Sequence, residues 1–103
     1  MTYEAALHAL ADPTRRAIFE TLRRQPSTVT DLAKTQPVSR PAVSQHLKVL
    51  HDAKLVKATP KGSHRIYAVR AKGLDALRRY LDGFWDETLA AFGAEITKRN
   101  RNR

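Results

Sequence analysis

The sequence predicts a mainly helical fold with one small β-hairpin, in the order ααααββα. Two observations predict this class. Apolar residues recur at three- and four-residue spacing through most of the chain, which is typical of amphipathic helices. Two runs rich in β-branched and aromatic residues, 55–59 and 64–69, flank a turn-forming stretch at 60–63. The chain has 103 residues, which suits a single domain, expected over residues 1–97.

The first two helices are separated by an Asp-Pro pair. Tyr3, Leu7 and Leu10 share one helical face, which predicts a helix over residues 1–11. The chain should leave this helix before Pro13, because proline disfavours helical geometry in the residue before it. Asp12 suits the N-cap of a second helix and Pro13 suits its first turn, where no hydrogen bond is lost.

Residues 28–53 have the pattern of a helix-turn-helix. The sequence of residues 28–31, TVTD, has the form of a capping box and predicts a short third helix that ends near Thr35. A three-residue turn at 36–38 follows, and Ser39 is a suitable N-cap for a fourth helix. That second helix of the pair, at about 39–52, is the expected recognition helix, and its buried face is expected to carry Val43, Leu47 and Leu50.

A hairpin and a long helix complete the pattern. The hairpin is expected over 55–69, with residues 56–69 as the wing that contacts DNA and with Lys61, His64 and Arg65 at its tip. The last helix is expected to begin at Gly73, and its residues 74–97 include a broad apolar stripe. A basic, disordered tail is expected at 98–103. A helix-turn-helix followed by a hairpin is the winged helix-turn-helix arrangement.

The positive charge is concentrated in the middle of the chain. The formal net charge is +9, and the pI of about 10.5 is typical of proteins that bind nucleic acid. Residues 36–72 carry eight basic side chains against one acidic side chain, whereas residues 73–97 carry two basic and five acidic ones. This split predicts one face for a polyanion, double-stranded DNA, and another face for a different partner.

Several classes of function are disfavoured by what the sequence lacks. There is no cysteine, which excludes disulfides and thiolate metal sites and favours a reducing, cytoplasmic location. The sequence contains no membrane-spanning apolar run and no signal peptide, so no membrane partner is expected. It also contains no nucleophile–base motif and no phosphate-cradling glycine loop, so an enzyme is not expected.

Residues 10–18 (LADPTRRAI) and 39–50 (SRPAVSQHLKVL) resemble the ArsR family, the arsenic-resistance regulators. The similarity spans roughly residues 3–97 and includes Arg65-Ile66-Tyr67 and Phe84-Trp85. The resemblance implies a bacterial winged-helix transcription regulator, most often a homodimeric repressor on an inverted-repeat operator. Two positions depart from the family pattern, because Pro37 and Lys54 stand where glycine is common.

The resemblance also implies that the first and last helices, 1–11 and 74–97, form the dimer contact. A domain of this size cannot easily bury so much aromatic surface within one chain, which favours a dimer core over an effector pocket. No effector is identified. The expected dimer residues are Tyr3, Leu7, Leu10, Leu77, Leu81, Phe84, Trp85, Leu89 and Phe92.

The recognition helix should enter the major groove, which is wide enough to admit a helix. Arg40, Ser44 and Gln45 are the expected base-reading residues, because guanidinium and amide groups match guanine and adenine edges. The wing should lie on the DNA backbone or in a neighbouring minor groove, where Arg65 or Lys61 can enter. The expected backbone or wing contacts are Thr28, Thr30, Ser39, Lys48, Lys61, His64 and Arg65.

No metal and no cofactor are expected. Many members of the resembling family sense metals through Cys pairs in the third helix or through His and carboxylates on the last helix, and this chain has neither set. His46 is interpreted as a packed, hydrogen-bonded residue. Arg15 and Arg16 have two equal interpretations, phosphate contacts or ion pairs with Asp12 or Glu20.

An alternative function stays open from the sequence. A winged helix can serve as a protein-interaction or architectural module with only nonspecific DNA affinity. Amide and hydroxyl side chains on the outer face of the fourth helix argue against it, because such a protein needs lysines there. Equal affinity for a specific and a scrambled duplex would favour the alternative.

Overall fold

The computed structural model describes residues 2–101 of the chain and the side chains of residues 2–93. It confirms the mainly helical class and the order ααααββα, with one short 3₁₀ turn at Ala71–Leu74 that the sequence analysis did not predict. The elements are α1 (Tyr3–Ala11), α2 (Pro13–Arg24), α3 (Val29–Thr35), α4 (Arg40–Asp52), β1 (Val56–Lys61), β2 (His64–Val69) and α5 (Asp75–Arg101).

The first four helices begin at side-chain caps. The Asp12 carboxylate accepts a hydrogen bond of 2.8 Å from the Arg15 N–H, and this bond lowers the pKa of Asp12 below its ordinary value. The Ser39 hydroxyl accepts from the Ala42 N–H at 3.3 Å. Thr2 and Thr28 cap α1 and α3 in the same way. The predicted starts of α2, α3 and α4 are therefore confirmed.

One apolar core joins the helices to the base of the hairpin. α4 contributes Val43, Leu47 and Leu50, each essentially inaccessible to solvent, as the spacing of these residues predicts. The other members come from α1, α2, α3 and the start of β1: Ala6, Ala9, Ile18, Phe19, Leu22, Leu32, Leu55 and Val56. Burial of one α4 face turns the opposite face of that helix to solvent.

The first strand of the hairpin extends further than expected, and the turn is shorter. Pro60 and Lys61 belong to β1, where they pair with Arg65 and His64, so the turn is only Gly62-Ser63. Gly62 has φ +60°, a conformation that glycine adopts without a Cβ penalty. Pro60 is tolerated within a strand because β1 has a neighbour on one side only.

The end of α4 is a Schellman motif with lysine at the glycine position. The Leu55 N–H donates to the Leu50 carbonyl at 3.0 Å, and the Lys54 N–H donates to the His51 carbonyl at 2.9 Å. Lys54 has φ +63°, a left-handed conformation that disfavours residues with a Cβ. The departure from the family pattern at Lys54 therefore falls where the backbone favours glycine.

The start of α5 lies against this motif. A Cβ at Gly73 would lie 1.8 Å from the Lys54 carbonyl oxygen, so the close approach of the two backbones requires glycine. Gly73 is part of the 3₁₀ turn, and α5 itself begins at Asp75, which corrects the expected start at Gly73. The turn is closed by a bond from the Gly73 N–H to the Arg70 carbonyl.

α5 also ends later than expected. It continues to Arg101, beyond the expected end at about residue 97, because Lys98 to Arg101 contain no glycine or proline and cations are favourable in a last turn. The expected disorder of the tail at 98–103 is therefore wrong for the backbone of residues 98–101, which is helical. The side chains of 94–101 and the residues 102–103 lie outside the described part of the chain.

Replacing Lys54 with glycine should stabilise the fold. Removing the Cβ relieves about 1–2 kcal/mol of left-handed strain, and the flexibility of glycine in the unfolded chain offsets about 0.5–1 kcal/mol of that gain. We expect Lys54→Gly to raise the free energy of unfolding by about 0.5–1 kcal/mol in urea titrations at fixed protein concentration. Lys54→Ala, which removes the same charge but keeps the Cβ, is the control and should give no such gain. A lower stability for Lys54→Gly than for Lys54→Ala contradicts this account.

Candidate nucleic-acid interface

The outer face of α4 presents polar side chains to solvent. Arg40, Ser44, Gln45 and Lys48 are all exposed, whereas Val43, Leu47 and Leu50 of the same helix are buried. Ser39 caps the helix and Pro41 occupies its first turn. The three expected base-reading residues therefore lie on one accessible surface, and their reach to a base edge stays a prediction.

The wing is fixed beside α3 and α4 by a short backbone pairing. The Ser27 N–H donates to the Tyr67 carbonyl at 3.0 Å, and the Tyr67 N–H donates to the Ser27 carbonyl at 2.8 Å. This isolated antiparallel bridge joins the segment before α3 to the middle of β2. The outer half of β2 is consequently held next to the first turns of α3 and α4.

A groove of about 270 Å³ lies between these three elements. Arg40 from α4 and Arg65 from β2 line it from two sides. Its remaining polar lining comes from the start of α3 and from the wing: Thr28, Thr30, Ser63, His64 and Tyr67. No carboxylate lines it, so its polar groups suit an anion such as a DNA phosphate.

A second groove, of about 180 Å³, lies between α4 and the hairpin. Ser44, Lys48 and His51 of α4 face Arg65 of β2 across it. Arg65 therefore borders both grooves and lies beside the expected recognition helix. Lys61, at the end of β1, borders neither groove.

The cations of this surface are little neutralised by the protein. Arg40 and Arg65 form no ion pair among the described residues. Lys48 lies 3.9 Å from Asp52, but both side chains are about 70% exposed, so this i, i+4 pair is weak. Their charge is consequently available to a polyanion.

Most of the DNA-contact residues expected from the sequence lie on this one surface. The grooves bring together Thr28, Thr30, Arg40, Ser44, Lys48, His64 and Arg65. Gln45, Ser39 and Lys61 do not line either groove, although all three are exposed.

The grooves are also lined by Ser63, His51 and Tyr67, for which the sequence predicts no role in the site. Ser63 and His51 stand next to assigned residues in space. Tyr67 lines both grooves and forms the backbone bridge to Ser27. The two partners are forty residues apart in the sequence, so no local sequence pattern indicates this pairing.

Arg15 and Arg16 form no ion pair with Asp12 or Glu20 among the described residues. The Arg15 guanidinium donates to the carbonyls of His8 and Ala9, the former at 3.1 Å, and Arg16 donates to the carbonyl of Leu10 at 3.3 Å. These carbonyls belong to the last turn of α1, where they have no partner within the helix. Both arginines therefore cap α1.

His46 occupies the structural role expected for it. It is half-buried, and its Nδ1 lies 3.5 Å from an Nη1 of Arg15. His46 faces α2, away from the grooves.

The expected dimer residues fall into two groups. Tyr3, Leu10 and Leu77 are partly buried within their own chain, and the Tyr3 ring stacks on Tyr80 of α5 with centroids 4.0 Å apart. The others are exposed, with 60% of Trp85 and 64% of Phe92 accessible. This second group consists of Leu7, Leu81, Phe84, Trp85, Leu89 and Phe92.

Two negative findings concern the described residues only. Their His, Asp and Glu side chains form no group of three or more that could hold a metal ion. None of their helices is long and apolar enough to cross a membrane.

The chain is similar to known transcription regulators over most of its length. Residues 10–58 match a helix-turn-helix domain family. The HTH-type transcriptional regulator Rv2034 of Mycobacterium tuberculosis is 53% identical over 93 residues, which cover 90% of this chain and 87% of that protein. The arsenical resistance operon repressor of Bacillus subtilis is 34% identical over 76 residues, which cover 73% of this chain and 72% of that protein.

Solved structures give the same assignment. An ArsR-like transcriptional regulator from Rhodococcus sp. RHA1 superposes with a TM-score of 0.74 at 32% identity, covering 87% of this chain and 88% of that one. The crystal structure of the ArsR family regulator RHA00566 superposes with a TM-score of 0.73 at 31% identity, covering 81% and 86%. The chain thus belongs to the ArsR family of winged helix-turn-helix transcriptional regulators, DNA-binding proteins that are not enzymes.

Proposed function

We propose that this regulator is a homodimeric repressor that binds an inverted-repeat operator. In this proposal α4 enters the major groove and the wing follows the backbone or a neighbouring minor groove. The observation that carries it is the pair of carboxylate-free grooves in which Arg40, Lys48 and Arg65 converge beside the exposed face of α4. A surface of this kind matches the shape and charge of duplex DNA.

The residues of this surface divide into two roles. Arg40, Ser44 and Gln45 read base edges, because the N-terminal half of a recognition helix lies deepest in the groove. Phosphates are bound by the hydroxyls and cations around them: Thr28, Thr30, Ser39, Lys48, His64 and Arg65. The cap hydroxyls of Thr28 and Ser39 each accept one backbone N–H and keep their own proton to donate to a phosphate.

The second copy of the chain covers the exposed side of α5. Leu81, Trp85 and Phe92 are exposed at helical spacing on a segment whose charges are mainly acidic. Contiguous apolar surface of this kind marks a protein interface, and its acidic surroundings disfavour DNA there. A two-fold axis between α5 helices places two α4 helices on the two halves of an inverted repeat.

Replacing Arg40 or Gln45 with alanine should weaken binding to the operator selectively. We expect Arg40→Ala and Gln45→Ala to lose about 1–3 kcal/mol on a duplex selected by the wild-type protein from a random pool. Their affinity for a scrambled duplex should change much less, as measured by fluorescence anisotropy. If both variants keep the wild-type preference for the selected duplex, α4 does not read the bases.

Replacing Lys61 with alanine should weaken binding to all duplexes alike. A phosphate or minor-groove cation contributes through counterion release, so Lys61→Ala should reduce the slope of log affinity against log salt by about one for each phosphate that the lysine neutralises. Arg23→Ala is the control, because it removes the same charge from α2, away from the wing. The Arg23 guanidinium pairs with the Glu20 carboxylate at 3.2 Å. Equal salt slopes for Lys61→Ala and Arg23→Ala would show that Lys61 does not contact DNA.

Replacing Trp85 with alanine should dissociate the dimer. Loss of a large aromatic side chain from an interface costs about 2 kcal/mol or more, so we expect Trp85→Ala to raise the dimer dissociation constant about 30-fold or more in analytical ultracentrifugation. Trp85→Phe keeps an aromatic ring and should remain largely dimeric. An unchanged association constant for Trp85→Ala would place the subunit contact elsewhere.

A further inference from the structure

Arg15 joins three helices through a single side chain. It belongs to α2, it donates to two carbonyls of α1, and its Nη1 lies 3.5 Å from Nδ1 of His46 in α4. The side chain is half-buried and does not line either groove. It therefore contacts the recognition helix on the side that faces α1 and α2.

The position of the Arg15 guanidinium is fixed at α1 by two hydrogen bonds. The carbonyls of His8 and Ala9 lie in the last turn of α1, where no backbone N–H is available to them. A guanidinium satisfies both with directed N–H groups and also interacts favourably with the negative end of the helix dipole. The Arg15 backbone N–H is held as well, because it caps onto Asp12 at 2.8 Å.

The α4 end of the link depends on the protonation of the histidine ring. Arginine offers only donors, so the ring nitrogen that faces it has to accept. His46 accepts from Arg15 through Nδ1 in the tautomer that carries the ring proton on Nε2. It stands directly after Gln45 in α4, between the buried residues Val43 and Leu47.

We propose that Arg15 is a positioning residue for DNA recognition, which sets the orientation of α4 against α1 through His46. This inference rests on the proposed function. Apolar burial of α4 is non-directional, whereas a hydrogen bond has a preferred direction. A directed contact from a side chain anchored on α1 restricts rotation of α4 about its axis. Small misplacements of reading groups reduce specific affinity and leave bulk electrostatics unchanged.

The link also reaches α5. α1 packs against α5 through the stacked rings of Tyr3 and Tyr80, whose planes lie within 4° of each other. The α1–α5 pair carries the exposed apolar surface that we assign to the second subunit. Arg15 is therefore placed to connect the subunit contact with the helix that reads DNA.

A charge-conserving pair of variants tests the proposal. Arg15→Lys keeps the positive charge but cannot reach three acceptors in different directions. Arg16→Lys is the matched control, because Arg16 is adjacent and exposed, and among the described residues its guanidinium donates to one acceptor, the Leu10 carbonyl. We expect Arg15→Lys to lower affinity for the selected duplex about tenfold, with affinity for a scrambled duplex and the salt slope retained. Arg16→Lys should leave all three at their wild-type values.

Variants of His46 separate positioning from stability. Asparagine retains an acceptor near the position of Nδ1, so His46→Asn should keep most of the specific affinity. Leucine fills the space without an acceptor, so His46→Leu should lose about as much specific affinity as Arg15→Lys. The double variant Arg15→Lys/His46→Leu should lose no more specific affinity than either single variant, because both substitutions remove the same contact. Urea unfolding identifies any variant whose loss follows from a general loss of the fold.

A spectroscopic measurement completes the test. Nitrogen-15 NMR of the His46 ring should show the Nε2–H tautomer in the wild-type and Arg16→Lys proteins, and a mixture of tautomers in Arg15→Lys. Equal specific affinities for Arg15→Lys and Arg16→Lys, or additive losses in the double variant, overturn the proposal. If the wild-type protein itself does not distinguish the selected from the scrambled duplex, the proposed function fails and this inference fails with it.

Discussion

Burial of one face of α4 is the constraint on which the remaining structure depends. Val43, Leu47 and Leu50 are fully enclosed by side chains from α1, α2, α3 and the start of β1. Their burial leaves the rest of the helix surface, with Arg40, Ser44 and Gln45, exposed to solvent. A polar substitution in the buried triad would therefore disturb the reading surface and the core together, since both are faces of the same helix.

The wing completes this surface through backbone geometry. Two hydrogen bonds between Ser27 and Tyr67 place β2 next to the first turns of α3 and α4, and Arg65 then borders both grooves. Because the charges there are unpaired or weakly paired among the described residues, the surface keeps a positive potential that a polyanion can neutralise. The acidic segment of α5 lies on a different element and carries the exposed aromatic side chains.

Features with local causes were predictable from the sequence, and features that depend on distant pairings were not. The caps at Asp12, Thr28 and Ser39 act over three residues, so the starts of α2, α3 and α4 were predicted correctly. The acceptors of the Arg15 guanidinium could not be predicted, because an arginine side chain can reach many partners. Two of them lie six and seven residues earlier in the chain, and the third lies on α4. The bridge at Tyr67 was likewise missed. The 3₁₀ turn before α5 follows from the approach of Gly73 to Lys54, a contact made only in the folded chain.

The central claim is that this surface reads a DNA sequence rather than only binding its charge. The most direct measurement is the ratio of wild-type affinities for a selected duplex and for a scrambled duplex of the same length and composition, at about 0.15 M salt. The account predicts a ratio of about a thousand or more, as for other specific regulators. Affinities equal within about threefold would contradict it and would favour an architectural module that binds DNA through charge alone.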